Sequence, residues 1–197
     1  MVDILAILDR SGSMESMQTE AVNGFNNFLD EQRAIPGDCQ LTLFLFDDQI
    51  DLLYSQKDIK KVVNLDKTTY VPRGMTALYD AIAEGARHLL VLLGQDTRTP
   101  DDKVIVVVVT DGQENASKNT DLSKLKGIIE ECKTKGWEFV FLASDPTSFQ
   151  DAYAMGINSN AVYSYSTGTG GTLAAYNVMS SQVRAYRGQT PKDSTGN

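Results

Sequence analysis

Asp9, Ser11 and Ser13 follow one another at a spacing of two, immediately after the apolar run of residues 2–8. In an extended segment that spacing turns the three side chains to one side, and Gly12 between the serines lets the backbone bend around a small ion. One carboxylate and two hydroxyls are hard oxygen donors. Such a set suits Mg²⁺ or Mn²⁺, which take octahedral oxygen shells and usually retain waters, better than zinc, which favours His and Cys. Ser and Asp also cap helix N-termini, so the pentapeptide alone supports either a metal loop or a cap.

Further oxygen donors stand at two other places: Asp111-Gly112 ends the run Lys-Val-Ile-Val-Val-Val-Val-Thr at 103–110, and Thr76 follows Gly74-Met75 where a helical pattern begins. The elements that must position them are legible from periodicity. Residues 2–8, 39–46, 50–54, 103–110, 137–143 and 161–166 read as strands, several of them apolar enough to be covered on both faces. Asp47-Asp48-Gln49 joins the second and third strands as a hairpin with an outer edge strand. Helical spacing marks 14–33, 76–94, 121–135 with Asp121 as cap, 147–155 and 172–186, with a short helix near 58–63 in the least legible stretch.

Strands alternating with helices predict an α/β fold: a doubly wound, mostly parallel six-stranded sheet with one antiparallel edge strand and helices on both faces. Ligands bind such sheets at the carboxyl ends of the strands, where the winding reverses. The strand ending at Asp9 is expected to be central and next to the strand ending at Asp111. The loops at 9–13, 74–76, 111–115 and 144–145 then meet at one edge. Two carboxylates (Asp9, Asp111), two serines (Ser11, Ser13) and one threonine (Thr76) form a coherent set for a hard divalent ion. The Thr76 hydroxyl is expected at a solvent-facing helix start, with Arg10 and Arg73 as exposed charges on the rim.

The 197 residues, 42% of them hydrophobic, suffice for one substantial core. One domain is expected over 1–187, followed by a polar, disordered tail at 188–197. A net charge of −8 argues against nucleic acid, which needs a basic face. There is no secretory signal pattern, and the longest apolar run, 104–109, is too short to span a bilayer. The expectation is a soluble, cytoplasmic protein without membrane insertion. Cys39 and Cys132 lack metal-site spacing and are expected to be reduced and packed.

The remaining candidates are ordinary. His88, the single histidine, lies about three helical turns beyond Thr76 and leaves Ser11 and Ser13 without a base. The chain has neither a G-x-S-x-G elbow nor a Walker loop. Residues 167–171 could cradle an anion, but the motif is incomplete and a flexible helix entry is the better reading. Asp47 and Asp48 are expected as hairpin residues, and Asp80 as an aid to its helix start. Met14, Met17 and Met75 suit either core packing or an adaptable apolar rim.

Taken together, Asp9-x-Ser11-x-Ser13, Gly74-Met75-Thr76-Ala77-Leu78-Tyr79-Asp80 and Val109-Thr110-Asp111-Gly112 resemble, in order, the three metal-site loops of the von Willebrand factor A family. The resemblance spans residues 2 to about 186, and single-domain intracellular members of bacteria and phages look similar in size. It implies an intact metal-ion-dependent adhesion site in which Asp9, Ser11, Ser13, Thr76 and Asp111 hold Mg²⁺ or Mn²⁺. It further implies an open coordination position that a Glu or Asp of a partner protein fills. The expected function is a non-enzymatic, metal-dependent protein-binding module, an adaptor in a multiprotein assembly. The alternative is a metal-assisted phosphoryl or ester hydrolase, for which no nucleophile, second metal or base is evident.

Overall fold

Alternation along β1 (Val2–Asp9) divides its side chains between two cores, Ile4, Ala6 and Leu8 on one face and Leu5 and Ile7 on the other. In β4 (Lys103–Thr110), Ile105, Val107 and Val109 likewise oppose Val104, Val106 and Val108. Strands apolar on both faces must be covered on both. Helices α1 (Gln18–Ala34) and α5 (Gly171–Gly188) cover the first face with Phe25, Phe28, Tyr176 and Met179. Helices α2 (Leu78–Gly94), α3 (Leu122–Thr134) and α4 (Pro146–Ala154) cover the second with Ile82, Leu89, Ile129 and Ala152. The computed structural model describes residues 1–94, 102–144, 146–166 and 170–188.

With β2 (Cys39–Phe46), β3 (Ile50–Asp58), β5 (Glu138–Ala143) and β6 (Val162–Ser164), the sheet has the order β3-β2-β1-β4-β5-β6. Only the edge strand β3 is antiparallel to its neighbour. The chain winds outward from β1 through β2 to β3, returns beside β1 as β4, and winds the other way. That reversal falls between β1 and β4, where the alternation of elements predicts a ligand crevice. The registers Asp9↔Phe46 and Leu8↔Val109 bring the carboxyl ends of β1, β2 and β4 to one level.

Boundaries differ from expectation where local geometry is irregular. The segment after Asp9 enters a 3₁₀ helix, Gly12–Met17, before α1 begins. The short helix expected near 58–63 is a 3₁₀ turn at Ile59–Lys61, held by Asp58 accepting from Lys60 N. Strand β3 runs on to Asp58 through a bulge at Gln56, whose φ is 40°. Helix α2 starts at Leu78 rather than 76, and β6 is only three residues long. Asp121 caps α3 as expected, accepting from Lys124 N at 2.8 Å. Cys39 and Cys132 are free and buried. Among the described residues no helix is long and apolar enough to cross a membrane. The expectations for Asp145, for 167–169 and for the tail at 189–197 lie outside the described residues.

Candidate metal centre

Asp9 closes β1 and is 1% exposed. Its Oδ1 accepts from Ser11 N at 2.7 Å and its Oδ2 from Thr110 Oγ1 at 2.6 Å. Burial pushes its pKa up to about 6 against the pull of these hydrogen bonds, and the nearby Asp111 pushes the same way. A buried carboxyl facing a second carboxyl is short of positive charge, which a divalent cation would supply.

Ser11 occupies the N-cap position of the 3₁₀ helix but makes no side-chain cap bond. Its Oγ instead lies 3.1 Å from Ser13 Oγ, which donates to Asp111 Oδ1 at 2.7 Å. The two serines therefore meet through a helical turn and not through an extended strand, a correction to the spacing argument. Nor is Gly12 in a left-handed conformation; its N–H donates to Gly74 O at 3.2 Å, joining the first loop to the second.

Thr76 is 3% exposed, so its place is not the solvent-facing helix start that the sequence suggested. The reason is a backbone bridge to the third loop. Thr76 N donates to Asn115 Oδ1 at 2.8 Å, and Thr76 O accepts from Asn115 N at 3.0 Å and Ala116 N at 3.2 Å. A Cβ on Gly112 would stand 3.2 Å from Thr76 Oγ1, so the absent side chain is what lets that hydroxyl approach the Asp111-Gly112 turn.

Asp111 is half-buried, and burial raises its pKa despite the Ser13 hydrogen bond. Ser144 Oγ donates to its carbonyl at 3.1 Å, and Ser148 Oγ to that of Gly112 at 3.0 Å. From the helical side, the Tyr70 hydroxyl donates to Asp9 O and the Tyr165 hydroxyl to Thr110 O, the latter at 2.9 Å. Thus Asp9, Ser11, Ser13 and Asp111 form one chain of contacts, and Thr76 abuts its far end. Among the described residues no three His, Cys, Asp or Glu side chains gather as a metal cluster. The donors here are two carboxylates and three hydroxyls, the chemistry of a hard ion.

Residues beyond the five candidate donors also take part. Thr110 is a hydroxyl where the β-branched run would accept valine, which was a usable signal. Glu114 Oε2 accepts from Tyr79 N at 2.8 Å and so caps α2 from the third loop. Asp80, the acidic residue in the first turn of α2, also holds the third loop, accepting from Lys118 N at 2.7 Å and Asn119 N at 3.1 Å. Burial opposes its charge, but these N–H groups and Thr120 hold its pKa below the ordinary value.

The rim also differs from expectation. Arg10 is 5% exposed and turned inward, its Nε donating to Asp47 Oδ2 at 2.8 Å, while the Arg73 side chain is about half-exposed. Asp47, with no exposed surface, is no ordinary hairpin residue, and Asp48 lies over Gly74. Met14 and Met17 are core, whereas Met75 is exposed. His88 sits away from the loops, 2.8 Å from Ser55 Oγ and edge-on to Phe44.

Solved structures with this fold include three informative neighbours. The vWF domain of the type V pili tip protein Mfa5 from Porphyromonas gingivalis is 12% identical, with a TM-score of 0.66 and 98% of each chain covered. The pilus adhesin SpaC from Lactobacillus rhamnosus GG is 17% identical, with a TM-score of 0.65 over 92% of this chain and 30% of that one. Proximal thread matrix protein 1 from the mussel byssus is 17% identical, with a TM-score of 0.61 over 94% of this chain and 45% of its own; it is also solved with a zinc-occupied MIDAS motif. The chain thus spans less than half of the mussel protein. No curated protein matches it. The family model described as von Willebrand factor type A domain matches residues 3–182, from the first strand into the last helix, and the chain belongs to that family.

Proposed function

We propose that the chain is a metal-dependent protein-binding module that holds one Mg²⁺ or Mn²⁺ through Asp9, Ser11, Ser13, Thr76 and Asp111. The ion captures a Glu or Asp side chain of a partner protein, and the module acts as a cytoplasmic adaptor in a multiprotein assembly of the bacterial or phage type. The supporting observation is the unbroken run of contacts from Asp9 through Ser11 and Ser13 to Asp111, with Thr76 beside Gly112. Two carboxylates neutralise a divalent ion when both bind directly; with one held through water, charge remains to attract an acidic side chain. Hydroxyl-rich donors favour Mg²⁺ or Mn²⁺, although the zinc-occupied site of the mussel protein makes zinc the comparison to run.

Calorimetry with each of the three ions tests the site. One ion per chain is expected, with Asp9→Ala abolishing the binding that Asp30→Asn, an exposed change on α1, leaves intact. Equal effects of the two changes would remove the first loop from the site. Retention of partner proteins from native lysate in Mg²⁺ and their release by EDTA tests the capture. We also propose that the module has no turnover, since its single histidine lies away from the candidate metal loops, beside Ser55 and Phe44, and leaves Ser11 and Ser13 without a base. Phosphatase and esterase assays should be blank; metal-dependent turnover lost in Asp9→Ala would favour the hydrolase.

A further inference from the structure

Asp47 belongs to none of the three loops, yet it grips two of them. It ends just past β2 with no exposed surface, and its Oδ2 accepts from Arg10 Nε at 2.8 Å and Arg73 Nε at 2.9 Å. Its Oδ1 accepts from Gln49 N at 2.7 Å, which holds the carboxylate in place, and its carbonyl accepts from Ala77 N at 2.8 Å. Arg10 lies between Asp9 and Ser11, and Ala77 follows Thr76. One residue therefore anchors the chain next to three of the five candidate ligands.

We propose that Asp47 is a positioning residue for the metal centre: by holding Arg10 and Arg73 on one carboxylate oxygen it keeps both guanidiniums off the metal carboxylates. The inference rests on the metal-binding reading above. Backbone bonds bring the same loops together, from Arg10 N to Phe46 O at 2.7 Å, Arg73 N to Arg10 O at 2.9 Å and Gly12 N to Gly74 O at 3.2 Å. They fix the paths of the two loops but not where the guanidiniums point. Asp51 adds a second acidic partner, bonded to Arg10 Nη2 and 3.5 Å from Arg73 Nη2, and the nearby Asp48 also favours the Arg73 charge, so the two arginines sit among three aspartates. The second loop turns at Gly74, whose φ of +63° favours glycine and beside which Asp48 Oδ1 occupies the space a Cβ would take. Without the Asp47 charge, Arg10 keeps only the half-exposed Asp51 as an acidic partner and, tethered between two candidate ligands, can pair with Asp9 or Asp111 in competition with a divalent ion.

Mn²⁺ titration by calorimetry on the full chain, with thermal melts in EDTA, tests the proposal. Asp47→Asn, which keeps the shape and removes the charge, is expected to weaken Mn²⁺ binding by about 10- to 100-fold, the range typical of residues that orient metal ligands. Asp30→Asn should change nothing. Adding Arg10→Gln to Asp47→Asn should recover affinity without recovering the metal-free melting temperature, a response that simple loss of stability does not give. Wild-type affinity in Asp47→Asn, or a double variant no better than the single, overturns the proposal; if Asp9→Ala still abolishes binding, the metal-binding reading survives. A wild-type chain that binds no ion overturns both. If Asp47→Asn gives no cooperative melt, Asp51→Asn decides, because that side chain is about half-exposed and holds the same Arg10 guanidinium: a fall in affinity that Arg10→Gln restores supports the clamp, and unchanged affinity overturns it.

Discussion

Thr110 donates to Asp9 Oδ2 at 2.6 Å, and that bond is the main polar support of a carboxyl with almost no access to water. Thr110→Val keeps the shape and the strand preference but leaves that oxygen without its donor. Urea unfolding in EDTA should show a loss of about 1–3 kcal/mol, the usual penalty for orphaning a buried polar group. Thr110→Ser, which keeps the hydroxyl, should lose less. Thr76 calls for a different measurement, because its backbone bonds to Asn115 and Ala116 do not involve its side chain. Thr76→Ala is therefore expected to fold normally yet weaken Mg²⁺-dependent partner binding by about tenfold or more, as for one arm of a desolvated charged contact. An unchanged dissociation constant would take Thr76 out of the site. The donor residues were readable as residue types; their support was not, because Tyr70, Tyr165 and Asn115 act through groups that no local pattern announces.

Helices α1 and α5 come from opposite ends of the chain and share one face of the sheet. Gly24 in α1 makes room for Tyr176 in α5: a Cβ there would lie 2.5 Å from Cδ2 and 2.9 Å from Cβ of a tyrosine that is 1% exposed. The contact is at the root of the ring, so the side chain cannot swing aside. Gly24→Ala should lower stability by about 1–3 kcal/mol, as overpacking typically does. Gly127→Ala, at an open position of α3 with nothing within 4 Å, should raise it by about 0.5–1 kcal/mol through helix preference alone. Thermal melts of the two variants give opposite signs if the packing account is right. Polar contacts add to the pairing, since Arg187 Nη1 donates to Gln32 O at 2.6 Å and Nη2 to Ile35 O at 3.2 Å, capping the C-terminus of α1. Both helices were legible from apolar spacing, but Gly24 reads in isolation as a weakness in α1, and only Tyr176 explains it.

At the scale of the molecule, several carboxylates titrate together with folding. Asp66, bonded by Thr68 and Thr69, has its pKa lowered from 3.8 to about 2. Burial raises that of Asp47 and of Asp80, but hydrogen bonds from Arg73 and Gln49 in the first case, and from Lys118 and Asn119 in the second, bring both below 3.8. A carboxyl whose folded pKa is depressed adds stability above its unfolded value, and that stability is lost as pH falls toward the folded one. Metal-free protein should therefore unfold at lower urea at about pH 2.5 than at about pH 4, and Asp80→Asn should flatten the slope. Asp9, whose raised pKa acts with the opposite sign, titrates above that window. The sequence alone determined the topology and the edge at which the donors lie, because buried strands alternating with helices permit few windings and the right-handed crossover selects among them. It also placed the candidate donors Asp9, Ser11, Ser13, Thr76 and Asp111 at strand ends or helix entries along that edge. Only the tertiary structure decided that Thr76 is buried, that Arg10 turns inward onto Asp47, and that Thr110 donates to Asp9. Those outcomes depend on which distant group compensates a desolvated charge or hydroxyl, and that partner is chosen by packing between elements, which periodicity along the chain does not encode.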